Sequence, residues 1–338
     1  MRIMGRPRAL IAVVAGAFLL AGCGTGPSQV SAAAIIDGQV TSIDQVQGLL
    51  DRAVREQPYA RQLAAQHKLD LVGREIVRQQ LLHTAVGKAA QKENITADQS
   101  AIGAAMLQDP LAGPLPQSVT ASQDAAVTQL VWRLRDHREA LTDQYLEQKL
   151  AIKYLPTLTV NFDYTTVGAP SADGTASSTD PATARADAVA KARQFAADPK
   201  SVTGEIQRGA QGGVEGNVGT QVPALSSPQD ATTVLFGVPA GTVIAFQPNP
   251  TGGNPTWVVA VVRQRATGKP VATDQAQQPT PDQLSGIGVR LVQPYVGEVD
   301  YRINPRYGVW DAVGMDLAPN AGSTKGIVLP TTGAPAQQ

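Results

Sequence analysis

The spacing of apolar residues changes once along this chain, near Pro156, and this change constrains the fold more than any other feature. Before it, apolar residues recur every three or four positions over 42–55, 69–92 and 121–154. That is the period of amphipathic helices. After it, residues 158–167 alternate apolar and polar side chains as a half-buried strand does, and glycine and proline become frequent. The sequence therefore predicts an α+β fold, helical first and sheet-forming second.

The first half is also predicted to open with a strand. Residues 32–36 are apolar, and Asp37 with Gly38 is a strong turn signal. Two shorter helices are predicted over 58–67 and 97–108, between the longer ones. We therefore expect one strand followed by a bundle of helices.

Charge and composition exclude some classes of function. The 338 residues include 28 basic and 28 acidic side chains, so the formal net charge is zero. Binding nucleic acid through its phosphates needs an excess of Lys and Arg, so nucleic acid is not an expected partner. Residues 209–219 are rich in glycine, but no Lys-Ser/Thr pair or periodic helix follows them. These glycines therefore predict tight turns, and no nucleotide or other cofactor is expected.

The N-terminus has the pattern of an export signal. Three arginines lie within the first eight residues, and residues 9–20 form an apolar run too short to span a bilayer comfortably. Residues 20–23, Leu-Ala-Gly-Cys, then resemble the lipobox of bacterial lipoproteins. This resemblance implies cleavage after residue 22 and lipidation of Cys23, which would hold the protein on the extracytoplasmic face of the cell membrane. An ordinary cleaved signal or an uncleaved anchor helix are the alternatives.

Cysteine and histidine are scarce, which limits the possible chemistry. Cys23 is the only cysteine, so neither an intramolecular disulfide nor a cysteine-based metal site can form. The only histidines are His67, His83 and His137, scattered singly in the helical half. Their spacing suggests no partner acid or nucleophile, so we interpret them as residues on helix surfaces or boundaries. No metal site and no catalytic residue is predicted.

Residues 34–41 and the amphipathic helix after them resemble the opening of SurA- and PrsA-type extracytoplasmic chaperones. Those proteins pair a helical chaperone domain with a parvulin-type prolyl isomerase domain. The second half resembles a parvulin domain in the order of its parts. These parts are a strand at 158–167, a helix at 182–197, a Gly-Gly-x-x-Gly turn at 212–216, a segment at 221–225, a helix-plus-glycine stretch at 235–243 and a closing strand at 256–263.

The resemblance implies a domain organisation in which a C-terminal segment returns to the helical domain. Residues 286–311 would pack there and supply a strand beside 32–36. The predicted units are a signal peptide (1–22), a tether (23–31), a SurA-N-like helical chaperone domain (32–155), a degenerate parvulin-like α/β domain (156–265), a linker (266–285), the returning segment (286–317) and a disordered tail (318–338).

The parvulin resemblance also implies a site, from which the catalytic groups are missing. The first-strand histidine of parvulins falls at Asp163 and the closing-strand histidine at Trp257. The methionine and phenylalanine of the proline cup fall at Gln221 and Leu225. With Phe236, these residues are the candidates for a peptide groove. Plain core packing is the alternative for the apolar ones.

These observations predict a membrane-anchored, ATP-independent chaperone or foldase-like factor. Its partners would be unfolded or newly exported polypeptides, bound loosely in extended form. One alternative is a weakly active peptidyl-prolyl cis-trans isomerase. The other is a non-catalytic envelope lipoprotein that binds a specific partner or small molecule.

Overall fold

The structure is a computed structural model, and it describes residues 31–168, 180–248, 256–269 and 276–332. Several predictions fall outside these ranges. They concern the signal peptide, Cys23 with most of its tether, and part of the predicted linker. Within the described ranges the fold is mixed α+β, as the change in apolar spacing predicts.

The described chain begins with a β-hairpin. Strand β1 (Ala32–Ile36) is the predicted one, and it pairs antiparallel with a second strand, β2 (Gln39–Ser42), that was not predicted. Asp37 and Gly38 form its turn with φ values of 46° and 78°, a left-handed conformation that favours Gly and Asp. Helix α1 (Ile43–Glu56) follows at once because the Ser42 side chain caps it, accepting a hydrogen bond from the Gln45 backbone N–H.

The predicted helices of the first half are confirmed, with one exception. They are α2 (Pro58–Ala65), α3 (Leu69–Lys92) and α4 (Gln99–Gln108). The single helix predicted over 121–154 is wrong, because the chain forms α5 (Gln123–Leu134) and α6 (His137–Tyr154) instead. The break lies at Asp136, whose side chain accepts a hydrogen bond from the Glu139 backbone N–H and so starts a new helix.

The second half is an antiparallel sheet with helices, and its predicted first strand, first helix and closing strand are all present. Its elements in chain order are β3 (Thr159–Val167), α7 (Pro181–Ala197), α8 (Val202–Gln211), β4 (Gly216–Pro223), α9 (Val234–Gly237), β5 (Thr242–Phe246) and β6 (Trp257–Ala266). The glycine-rich segment forms the turn between α8 and β4, as expected. Gly213 there has a φ of 83°, and a Cβ on Gly216 would lie 2.8 Å from the Tyr164 carbonyl oxygen.

The C-terminal part of the chain then crosses to the helical region. Helix α10 (Pro281–Val296) begins inside the predicted linker and packs on α6 and α3. Strand β7 (Tyr301–Ile303) pairs antiparallel with β1, so the sheet order is β2-β1-β7. The strand expected beside residues 32–36 is therefore present.

The prediction of a disordered tail over 318–338 is wrong for the part that the structure describes. The chain continues through β8 (Val309–Asp311) and β9 (Asp316–Ala318) to β10 (Gly326–Pro330). Strand β10 pairs with β5, which gives a five-stranded sheet in the order β10-β5-β6-β3-β4. The partner strand lies about eighty residues earlier in the sequence, so no local pattern could reveal the pairing.

The five-stranded sheet is covered on both faces. Alternate residues of β5 and β6, such as Val243 and Val259, pack against apolar residues of α7 and α8. Their neighbours, such as Ile244 and Ala260, face a larger core shared with α3, α5, α6 and α10. Within the described ranges, every helix is too short or too polar to span a lipid bilayer.

Candidate functional site

Asp163, the candidate at the first parvulin histidine position, is buried in a network that joins neighbouring elements of the sheet. Its side chain is 3% exposed and forms an ion pair with Arg263 of β6 at 2.7 Å. The backbone N–H of Gly219 in β4 donates to the same carboxylate at 2.7 Å. The carboxylate of Asp163 thus has partners on both neighbouring strands, and it links these strands as a structural residue.

The other groove candidates do not come together. Phe236 is fully buried in the larger core, whereas Trp257 is 4% exposed and packs on the opposite face of the sheet with α7 and α8. Leu225 is half-buried against the larger core, and Gln221 is exposed on edge strand β4. Phe236 and Trp257 therefore lie on opposite sides of the sheet, so the five candidates do not line one groove, and the predicted groove is corrected in this respect.

An open depression of about 680 Å³ lies elsewhere, between edge strand β10 and the C-terminal segment. We call it the apolar groove. It is bounded by the turn before β5, the end of α10, and β7 with β8. Among its lining residues are Val238, Pro239, Val296, Tyr301, Trp310 and Val328.

The chemistry of the apolar groove suits uncharged, extended ligands. None of the described residues that line it carries a formal charge. Tyr301 and Trp310 meet edge to face with their ring centroids 6.4 Å apart, and both rings are half-buried. Strand β10 lies at the edge of the five-stranded sheet, so its outer backbone groups have no strand beside them in the described chain.

A second site, which the sequence did not predict, lies among α3, α5, α6 and α10. It is a cavity of about 170 Å³ that we call the polar cavity. Several charged or polar side chains line it, among them Arg78, His83, Arg135, Asp143, Gln144 and Glu147. Ser285, Gly286 and Val289 of α10 close the cavity on one side.

His83 and Arg135 share carboxylates of α6 at the mouth of the polar cavity. The His83 Nδ1 lies 2.8 Å from Asp143 Oδ1, and its Nε2 lies 3.8 Å from Glu139 Oε2. The Arg135 Nη2 donates to both acids at 2.5 Å. The hydrogen bond to Asp143 raises the pKa of His83 above its ordinary value, outweighing the opposite effect of burial.

Glu147 lies deeper in the polar cavity, one helical turn beyond Asp143. Its side chain is 7% exposed, and no hydrogen bond or ion pair joins it to another described residue. Burial raises the pKa of its carboxyl to about 8, and the neighbouring charge of Asp143 adds to this effect. The Gln144 Nε2, in the same wall, is also buried without a hydrogen-bond partner in the described chain.

The three histidines therefore have different surroundings. His67 is exposed at the turn between α2 and α3, and His137 pairs with Asp109 at 2.9 Å. Asp143, the acid that contacts His83 most closely, lies sixty positions away in the sequence, which is why the spacing of His83 suggested no partner. The available signal was the spacing of Glu139, Asp143 and Glu147, which puts three acids on one face of a helix.

Comparison with known proteins does not assign either site. No protein-family model, no curated protein and no solved structure matches the chain. The function is therefore inferred from the geometry and chemistry of the described residues.

Proposed function

We propose that the protein is a membrane-anchored, ATP-independent chaperone that holds extended apolar segments of newly exported polypeptides. The observation that carries this proposal is the apolar groove, an open and uncharged depression beside an edge strand. Its volume of about 680 Å³ accommodates several side chains, but it does not enclose a ligand of one particular shape.

Two kinds of contact in the groove would be tolerant of client sequence. The outer edge of β10 can pair with the backbone of an extended segment, whatever its side chains are. Tyr301 and Trp310 offer broad ring surfaces to any apolar side chain. Fully burying one such side chain is worth about 1.5–3 kcal/mol, so a few contacts give the reversible binding that a chaperone needs.

The position at the membrane is the part of the proposal that rests on Cys23. A lipid chain on this cysteine, with a second acyl chain, would keep the protein where exported chains emerge. A Cys23→Ser variant tests this directly. We expect the full-length wild type in the membrane fraction and the variant in the soluble fraction or unprocessed. Equal membrane association of a correctly cleaved variant would contradict lipid anchoring.

The holding function is tested by aggregation of an unfolded client in the presence of the full-length chain in nanodiscs. We expect the wild type to suppress light scattering, and the double variant Tyr301→Ala/Trp310→Ala to lose most of this activity. Leu107→Ser is the matched control, because Leu107 is 90% exposed and lies outside the groove. An equal loss of suppression in the control would mean that any exposed apolar residue can bind the client, and that the groove has no special role. No suppression by the wild type at several-fold excess would contradict the chaperone proposal.

A protease-coupled prolyl peptide assay separates holding from isomerisation. No histidine follows His137, so the two histidines of the parvulin site have no equivalent. Asp163 is already held by Arg263 and Gly219, which leaves its carboxylate little freedom to act on a peptide. We expect no acceleration above the uncatalysed rate. Acceleration that falls on changing Asp163 or Leu225 would favour the isomerase alternative.

A further inference from the structure

Three potential metal ligands lie together at the mouth of the polar cavity. His83 of α3 and Glu139 and Asp143 of α6 each offer one ligand atom, and these atoms lie within 4.8 Å of one another. Around a tetrahedral zinc ion, with bonds of about 2.0–2.2 Å, ligand atoms lie roughly 3.3–3.5 Å apart. Small side-chain movements would therefore bring the three groups to an ion.

The cluster is accessible, and this would let an ion enter. The side chains of His83 and Glu139 are each 45% exposed, whereas Asp143 is 10% exposed. One nitrogen and two carboxylate oxygens form a donor set that suits Zn²⁺ and similar divalent transition metals. His83 and Glu139 are thus in contact with solvent, whereas Asp143 is enclosed by neighbouring side chains.

The charges around the polar cavity supply a second, independent observation. Three carboxyl groups, those of Glu139, Asp143 and Glu147, lie at or inside the cavity with two guanidinium groups, those of Arg78 and Arg135. Negative charge therefore exceeds positive by one when the acids are ionised and His83 is neutral. Glu147 in particular is more than nine-tenths buried, faces the cavity and lacks a hydrogen-bond partner in the described chain. Such a buried acid is costly unless a cation or a proton compensates it.

Arg135 occupies the space between the two carboxylates that an ion would need. Its Nη2 lies 2.5 Å from both Glu139 and Asp143. Its side chain and that of Glu147 line the same cavity. An ion bound at the mouth would release Arg135, and Glu147 is the unpaired acid that can receive it.

We propose that His83, Glu139 and Asp143 form a binding site for a divalent transition-metal ion such as Zn²⁺, with Arg135 turning to Glu147 when the ion binds. The site is separate from the apolar groove and does not depend on the chaperone proposal.

The test is titration of the chelator-treated, full-length chain in detergent with Co²⁺, followed by visible absorption, and with Zn²⁺, followed by calorimetry. We expect one ion per chain. Glu139→Gln and His83→Ala should weaken binding at least about tenfold, since even outer-shell changes at metal sites cost 10- to 100-fold. His137→Ala is the matched control, because His137 pairs with a single acid, Asp109, and should leave the affinity unchanged.

Arg135→Met distinguishes a metal site from a purely structural ion-pair network. If Arg135 competes with the ion, its removal should tighten Co²⁺ binding and make the melting temperature rise more steeply with added metal. Absence of binding by the wild type would overturn the proposal. So would an equal loss in His137→Ala, or Arg135→Met binding no more tightly than the wild type. Glu139 is half-exposed, so Glu139→Gln keeps the test valid if His83→Ala fails to fold.

Discussion

The polar cavity and the apolar groove are lined by different kinds of side chain, and substitutions in them should affect protein stability differently. In the polar cavity, buried charges depend on one another, because Arg135 and Asp143 are each only 10–12% exposed at the side chain. In the apolar groove, half-buried side chains such as Trp310 pack against neighbouring rings and alkyl groups, and the lining carries no charge. Loss of one member should therefore disturb the cavity far more than the groove.

The largest effect is expected from Asp143→Ala. Removing this acid takes away the buried partner of the Arg135 guanidinium, which is 12% exposed, and leaves only the more exposed Glu139 beside it. Breaking a buried ion pair in this way costs about 3–5 kcal/mol of unfolding free energy. Urea unfolding measures the loss, with Asp109→Ala as the control because its pair with His137 is more exposed. Equal losses of unfolding free energy in the two variants would show that burial of the ion pair does not decide its contribution to stability.

Glu147→Gln should stabilise the protein, and the gain should depend on pH. The pKa of this carboxyl is about 8 in the folded protein, above its ordinary value of 4.5. Wild-type stability therefore falls as pH rises from about 4.5 to 8 and levels off above that, since the unfolded state loses the proton first. At pH 8 we expect a gain of roughly 2–4 kcal/mol for the variant. Urea unfolding curves of both proteins at pH 4 and pH 8 measure this gain in unfolding free energy. A gain that is the same at both pH values would show that the buried charge of Glu147 is not its cause.

A smaller loss is expected from Gly288→Ala, which tests how tightly α10 closes the polar cavity. A Cβ on Gly288 would collide with the backbone of Glu147 in α6. Overpacking of this kind costs about 1–3 kcal/mol because backbone cannot move as a side chain can. Gly286→Ala is the control, since its Cβ would meet only the Thr232 side chain. Thermal unfolding should show the larger loss for Gly288, and the reverse order would indicate that α6 and α10 separate easily.

The smallest effect on stability is expected in the apolar groove. Trp310→Ala removes a half-buried ring whose nearest aromatic neighbour is Tyr301. We expect a loss of about 1 kcal/mol, because the ring lies in the wall of an open groove and its removal leaves no enclosed cavity. Client holding should nevertheless fall clearly in the aggregation assay. A large loss of stability with unchanged holding would show that the ring serves the core and not a client.

Local patterns predicted most of the elements but not the way in which they meet. The helical spacing of apolar residues in α3 and the alternation of apolar and polar residues in β3 can be recognised in short stretches of sequence. The bounds of both elements therefore agree closely with the prediction. The break between α5 and α6 was missed because the helical period continues across it, whereas a single cap at Asp136 decides it. The strand β10 was missed because its partner β5 is remote.

The sites divide in the same way. Sequence positions selected Phe236 and Trp257 for one groove, although the sheet places them on opposite faces. The acids of α6 share a helical face that the sequence does contain, but only packing brings His83 of α3 against them. A site on one element can be found from spacing, whereas a site between elements needs the fold.

By itself the sequence determined the α+β class, most helices and strands, and the absence of histidine beyond His137. These follow from local periodicity and composition, which do not depend on distant residues. Tertiary structure alone decided the return of β7 to β1, the insertion of β10 beside β5 and the composition of both sites. The physical reason is that such contacts gain their free energy from burial between remote segments, which no short window of sequence contains.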